Sequence, residues 1–512
     1  MLAETKRSSL RLLAVLMLAL ALFTACTSKA AKAQEKIELG QKYLTELNYT
    51  EAVASFTEAI ELDPENIPAY MGRAEAYIGL KQYDDAKADY TTAIEKTEEQ
   101  PYTQAEAYIG RAEVNELTEE LELAKEDYTE ALDLLKQDDV GQKENIAEEL
   151  VTALKEKAYN AYIQLCMRLG LYDQVKNGAD AMMALYANPV KKPALEACLT
   201  QMKVGAMTGD LDQYQTYGET LYSMMADYDY ADYTLTEQQK EAVEYLRAHK
   251  NDAEWKYISG FRDLCVVDPR FLDVLNWHDY EKCVLSYRGS YLLAYRTEKM
   301  LEEDPQLFSL DELIEQLPVM VKRMQADGLN VRGDYTGVIE IYTEILQQDQ
   351  SIRAQSSGVV LKRAYFNRAE TYVRQGNYAL ARQDLEHCLE IDGLDSWQGS
   401  FNVDHPDLLL ERIYEVDGDF LQLRKLTKEM AKQRAERGRE VKKQWAEIKE
   451  RYELEEEVKA EVEENIELCY PSGSEEDDEE FYNSVDPSLD VIFPAMTRQY
   501  LQEHAREYLK NY

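Results

Sequence analysis

Small and large apolar residues recur along this chain in a fixed register. The first copy holds Leu39, Gly40, Tyr43, Ala52, Phe56, Ala59 and Pro64. The next holds Tyr70, Ala74, Tyr77, Ala86, Tyr90 and Ala93, and a third holds Tyr108, Ala112, Ala124, Tyr128 and Ala131. Far downstream, Tyr365, Ala369, Tyr372, Ala381 and Leu385 repeat the series. Such spacing predicts pairs of helices: the small residues let two helices of a hairpin approach, and the large ones fill the space between neighbouring hairpins. A turn signal recurs inside each pair, where Gly or Asn precedes a large residue: Asn48-Tyr49, Gly170-Leu-Tyr172, Gly209-Asp-Leu211, Gly333-Asp-Tyr335, Gly376-Asn-Tyr378 and Gly418-Asp-Phe420. Gly tolerates the positive φ that helix ends often adopt.

The register resembles that of the tetratricopeptide family, whose unit is about 34 residues long. The resemblance implies an all-α solenoid of helical hairpins. It covers residues 33–138 and 319–395, with degenerate helical repeats over 139–318. Less regular copies are expected at about 156–189, 195–228 and 319–352, while about 235–318 is helical without a register. There Tyr280, Val284, Tyr287, Tyr291 and Tyr295 share one helix face, readable as buried packing or as an aromatic platform for a sugar ring. Residues 396–470 are expected to form a hairpin whose long charged helix runs to about Leu468, basic first (Arg424 to Lys443) and acidic later (Glu453 to Glu464). Trp445, Ile448, Tyr452, Val458, Val462 and Ile466 offer a seam for a partner helix. Residues 471–485 form an acidic linker expected to be disordered, since like charges repel and nothing apolar is there to bury. A last amphipathic helix lies within 486–512.

Charge narrows the partners. With 98 acidic and 57 basic residues the chain carries a formal charge of −41, which disfavours nucleic acid. Only 22 Gly and 12 Pro in 512 residues leave little turn chemistry for an all-β fold.

At the start, Lys6, Arg7 and Arg11 precede an apolar run from Leu12 to Leu22, too short to span a bilayer, which takes ~20 apolar residues. The run ends in Leu22-Phe-Thr-Ala-Cys26, which resembles the lipobox of bacterial lipoproteins, although Phe23 stands where that motif usually has Leu. The resemblance implies a signal peptide over 1–25, a lipid on Cys26, a short tether over 26–32 and an extracytoplasmic, membrane-anchored location.

Catalytic, metal and cofactor residues are not assigned. Five histidines are scattered without a His-Glu-x-x-His pair, no Cys-x-x-Cys is present, and neither a Gly-x-Ser-x-Gly elbow nor a phosphate-binding Gly-rich loop occurs. The reading is therefore a binding protein and not an enzyme. Arg332-Gly-Asp334 reads as turn chemistry rather than an adhesive signal, and Asp227 to Tyr233 as a loop rather than a Ca²⁺ site. Of the six cysteines after Cys26, Cys166, Cys198 and Cys388 fall in helices as free, packed thiols.

By family resemblance, the second, fifth, ninth and twelfth places of each repeat face inward on the first helix. These places hold Gln34, Ile37, Gln41 and Leu44; then Met71, Glu75 and Ile78; then Glu106, Ile109, Glu113 and Glu116; and in the late repeat Arg363, Phe366, Glu370 and Val373. The expected partner is a protein or peptide segment with apolar anchors and Lys or Arg, and the basic residues that family members use to clamp a terminal carboxylate are not evident. A glycan-binding lipoprotein serving substrate uptake is the alternative reading.

Overall fold

The computed structural model describes residues 29–137, 139–250, 291–303, 308–347, 359–390, 406–469 and 495–511. Cys26 with its signal segment, Tyr280, Val284, Tyr287 and the acidic linker lie outside these residues. The described chain is helical, without a strand, and divides into two compact units, 1–185 and 186–512.

The first unit stacks four hairpins. Their helices are α1 (29–45) with α2 (Tyr49–Leu62), α3 (Ile67–Gly79) with α4 (Tyr83–Lys96), α5 (Pro101–Leu117) with α6 (Leu121–Leu135), and α8 (Glu148–Arg168) with α9 (Tyr172–Leu185). A short helix, α7 (Val140–Glu144), precedes the last pair. Helix starts follow local chemistry. The Asn66 side chain accepts from the Ala69 amide at the start of α3, and Pro101 opens α5, where a missing N–H is tolerated.

The repeated small residues make the close packing. Ala52, Ala59, Ala86, Ala93, Ala124 and Ala131 are fully buried, with Phe56, Tyr90 and Tyr128 beside them. A Cβ on Gly72 would lie 2.5 Å from the Phe56 ring, and one on Gly110 would lie 2.4 Å from the Tyr90 ring, so hydrogen is the side chain that fits there.

Each hairpin turn carries one residue at positive φ. Gly170, Gly209, Gly333, Gly376 and Gly418 hold it where glycine was expected to. In the first three hairpins the position belongs to Leu47, Lys81 and Glu119, each at φ 59°. The next amide closes the turn onto a carbonyl five residues back, as from Asn48 to Tyr43 (2.8 Å), Gln82 to Tyr77 (2.9 Å), Glu120 to Asn115 (2.8 Å) and Asn377 to Tyr372 (2.8 Å). This satisfies carbonyls that a helix end leaves unpaired.

The second unit repeats the plan with α10 (Lys192–Thr208) and α11 (Leu211–Asp227), then α14 (Leu310–Val331) and α15 (Tyr335–Gln347), α16 (Val359–Arg374) and α17 (Tyr378–Glu390), and α18 (Pro406–Asp417) and α19 (Phe420–Arg451). Between them α12 (Glu237–His249) packs on α14, and α13 (Tyr291–Glu303) packs on α10 and α19.

The single helix expected to reach Leu468 is corrected. α19 ends at Arg451, residues 452–455 leave the helix, and α20 (Glu456–Cys469) folds back on it. Val441, Trp445 and Ile448 of α19 bury against Leu454, Val458, Val462 and Ile466, with Tyr295 completing the cluster. Lys449 bridges Glu463 at 2.5 Å and Lys442 faces Glu467 at 3.7 Å. The expected seam is thus closed within the chain, and part of the basic stretch is answered by the acidic one. The last helix, α21 (Ala495–Asn511), packs on α18 and α16. No helix among the described residues is long and apolar enough to cross a membrane.

Candidate partner-binding surface

One interaction recurs between neighbouring hairpins. On α5, Arg111 donates from Nε to Asp127 Oδ2 (3.0 Å) and from Nη2 to Oδ1 (2.6 Å) on α6, while Nη1 donates to Thr91 Oγ1 (3.1 Å) on α4. Arg73 joins Asp89 (2.7 and 2.8 Å) and Thr57 (3.2 Å) in the same way. In the second unit Arg368 joins Asp384 (both 2.7 Å) and Thr343 (3.0 Å). Tyrosines one turn away lie under each guanidinium: Tyr70 and Tyr77, Tyr108, and Tyr365 and Tyr372. Each arginine therefore ties three helices from two hairpins. The carboxylates raise the arginine pKa values further above normal, against the cost of burial. These residues escaped the sequence reading, although Arg and Asp recur sixteen residues apart in all three repeats: Arg73 and Asp89, Arg111 and Asp127, Arg368 and Asp384.

With the arginines turned between hairpins, the ninth and twelfth places of the first unit remain reachable. Gln41 and Glu75 are exposed, and Leu44, Ile78, Glu113 and Glu116 are half-buried, as are Glu106 at a second place and Met71 at a fifth. The fifth places of the first and third repeats behave otherwise. Ile37 and Ile109 are 9 % and 1 % exposed, so they form the floor of the core and present little surface to a partner. The late repeat is more closed still: Phe366 is 2 %, Glu370 8 % and Val373 2 % exposed. As open contact positions, Ile37, Ile109, Phe366 and Glu370 are therefore corrected, because the neighbouring helices that complete each core cover them.

α8 brings cations to this surface that the sequence reading overlooked. Lys157 bridges Glu113 at 2.6 Å, and Arg168 bridges Glu116 at 2.8 Å and Glu119 at 3.6 Å. Glu116 also accepts from the Tyr128 hydroxyl at 2.8 Å. Lys157 and Arg168 are eleven residues apart, three helical turns, so they share a face of α8 and could have been paired with the glutamates. At the start of α5, Glu144 accepts from the Tyr102 amide (2.6 Å) and from the Thr103 amide (3.1 Å) and hydroxyl (2.5 Å), where the helix dipole favours an anion.

Two glutamates keep strained charge. Crowding by protein raises the Glu75 carboxyl above its usual range; Lys157 opposes the rise and Glu113 adds to it. Glu106 is raised first by burial, with Glu144 and Glu75 adding repulsion against help from Tyr102 and Lys157. Among the described residues, Glu75 has no hydrogen-bond or ion-pair partner.

Other singled-out residues fall into structure. Tyr295 is 6 % exposed and donates to Glu447, so this member of the aromatic stripe packs in a core. Gly333 holds φ +76° in a hairpin turn, and Asp334 accepts from the Gly337 amide at 3.1 Å, which makes Arg332-Gly-Asp334 turn chemistry. Tyr228, Tyr230 and Tyr233 pack edge to face after α11, with the Tyr230 hydroxyl donating to the Met225 carbonyl at 3.0 Å. Cys166, Cys198 and Cys388 are buried, and the Cys198 thiol donates to the Tyr217 carbonyl at 3.1 Å.

Comparison with known proteins agrees with the hairpin pattern. Tetratricopeptide repeat profiles match residues 43–105 and 362–393. Among curated proteins, "Protein SGT1 homolog" of Oryza sativa subsp. japonica is 48% identical over 59 residues, 12% of this chain and 14% of that one. Human "Small glutamine-rich tetratricopeptide repeat-containing protein beta" is 43% identical over 58 residues, 11% of this chain and 19% of that one. The chain thus spans less than a fifth of the length of these relatives. Similar solved structures include the first repeat domain of Spaghetti (RPAP3) bound to the HSP90 peptide SRMEEVD, at 27% identity, covering 28% of this chain and 95% of that one with a TM-score of 0.22. The P58(IPK) repeat domain is 16% identical, covering 76% of this chain and 98% of that one with a TM-score of 0.19. The chain carries tetratricopeptide repeats in an all-α fold.

Proposed function

We propose that this chain is a non-catalytic interaction scaffold, held on the extracytoplasmic face of a bacterial membrane by lipid on Cys26. The inner face of its first unit binds a protein segment that carries apolar anchors and Lys or Arg. The observation that carries this reading is the state of Glu75: an exposed carboxylate, crowded by protein and by Glu113, with no bonded cation, beside half-buried Met71 and Ile78. A Lys or Arg from a partner offsets the cost of burying that charge and its repulsion from Glu113, while an apolar side chain of the same segment covers Met71 and Ile78. Lys157, bonded to Glu113, leaves Glu75 and Glu106 as the carboxylates for the incoming charge.

The test is photocrosslinking in intact cells from position 71, followed by sequencing of the captured segment. A basic, apolar segment whose capture is lost in Glu75→Lys with Glu106→Lys supports the reading; an acidic segment, or one indifferent to both substitutions, overturns it. Acyl labelling and membrane fractionation of Cys26→Ala test the anchor separately. Loss of label with release from membranes is expected, and continued labelling contradicts it.

A further inference from the structure

We infer that the inner face of the late hairpins, α16/α17 and α18/α19, is a second helix-binding groove, and that α21 fills it in cis as a built-in ligand. The kind of partner it takes in trans is an amphipathic helix with Leu, a small residue and Tyr along one stripe.

α21 packs on α18 and α16, the first helices of successive hairpins, which are the elements that line the inner face. Leu501, Ala505 and Leu509 fall four residues apart on α21 and, with Tyr508 three residues after Ala505, make its apolar stripe. Leu509 is 3 % exposed and joins Phe366, Val373, Leu409, Leu410 and Ile413 in one cluster, with Leu501 and Tyr508 at its edge. The Arg412 guanidinium, at the ninth place of its hairpin, lies 5.7 Å from the Tyr508 ring centroid, and Arg498 of α21 lies 5.6 Å from that of Phe420. A Cβ on Gly418 would stand 2.9 Å from Gln502 Nε2, so the turn between α18 and α19 is bare where the helix passes.

The contrast with the first unit identifies this as a groove. Its ninth and twelfth places, Gln41 and Leu44, Glu75 and Ile78, Glu113 and Glu116, are exposed or half-buried. The same places of the late repeat, Glu370 and Val373, are buried, and Leu509 shares a cluster with Val373. The seat is also narrow. Of the α21 side chains described, Ala505 and Leu509 are buried, whereas Tyr500 is 66 % exposed and Glu503, His504, Arg506, Glu507 and Lys510 all face outward. The two helices of the α16/α17 hairpin, by contrast, are locked together by the buried Arg368–Asp384 bridge. A helix held by one short stripe is the element that a competitor of the same pattern can displace, since the competitor gains what α21 gives up.

The test uses the full chain and a fluorescent peptide of residues 495–511. The chain carrying Leu509→Asp is expected to bind the peptide at least tenfold more tightly than the wild-type chain, Tyr508→Ala is expected to fall between, and a peptide carrying Leu509→Asp is expected not to bind. Equal affinity for wild-type and both variants overturns the inference, as does absence of binding to variants that melt like wild type. Loss of cooperative unfolding in both variants also overturns it, because α21 is then part of the core and not a ligand. Glu75 and Glu106 are untouched in these chains, so the outcome is independent of the first-unit surface.

Discussion

Arg111 and Asp127 face each other across one hairpin in a two-bonded bridge, with the carboxylate 5 % exposed and the third guanidinium nitrogen on Thr91 of the preceding hairpin. The same bridge at Arg73 and Asp89 and at Arg368 and Asp384 makes this the unit of repeat-to-repeat order. Breaking a buried pair from one side strands the other charge and costs about 3–5 kcal/mol, whereas replacing both by apolar groups is close to neutral. Asp127→Ala is therefore expected to lower the urea midpoint of the first unit strongly, and Arg111→Met with Asp127→Leu to restore most of it. Equal loss in both variants contradicts the packing account.

Two kinds of glycine separate in the same assay. Gly110→Ala drives a methyl into the Tyr90 ring and is expected to cost about 1–3 kcal/mol through overpacking. Gly376→Ala meets nothing within 4 Å, so its cost of about 1 kcal/mol comes from the backbone at φ +73°. Conversely, Lys81→Gly relieves a residue at φ 59° and is expected to stabilise by up to about 1 kcal/mol. Thermal melts that rank these three in another order contradict the turn assignment.

The pH dependence follows from Glu75 and Glu106, whose carboxyls titrate above the usual 4.5 in the folded chain. A raised carboxyl favours the protonated form in the native state, so its contribution to stability is present below 4.5 and is lost as pH rises through the shifted value. Glu75→Gln with Glu106→Gln is expected to flatten this part of the stability curve and to leave the chain no less stable at neutral pH. An unchanged slope just above pH 4.5 contradicts the crowding of these groups.

The α19/α20 pair stands on Trp445. Trp445→Ala is expected to cost about 3–5 kcal/mol and to speed amide exchange in residues 441–469. Lys449→Ala removes a bridge whose side chains are 35% and 52% exposed, and is expected to change stability by less than about 1 kcal/mol. Reversed magnitudes contradict the antiparallel packing of Trp445 against Val458 and Val462.

The hairpins were readable because Ala86, Tyr90, Ala124 and Tyr128 answer to close packing, which leaves its spacing in the chain. The break after Arg451 was not, because Tyr452 to Glu455 contains neither Gly nor Pro and the helical period continues on both sides. What identified it was the match of Lys442 and Lys449 to Glu467 and Glu463, a tertiary fact. On the inner face expected from the family resemblance, Glu75 is exposed and Glu113 half-buried, whereas Ile109 and Phe366 are buried. An inward position is open only when nothing else covers it, and that depends on neighbouring helices.

The most direct test of the account is crosslinking from two positions in the first unit, Met71 on the inner face and Glu58, exposed on α2. The account predicts a basic, apolar segment captured from position 71 and not from 58, lost with Glu75→Lys and Glu106→Lys and weakened by salt. Equal capture from both positions, or capture from 71 that ignores the two substitutions, contradicts it.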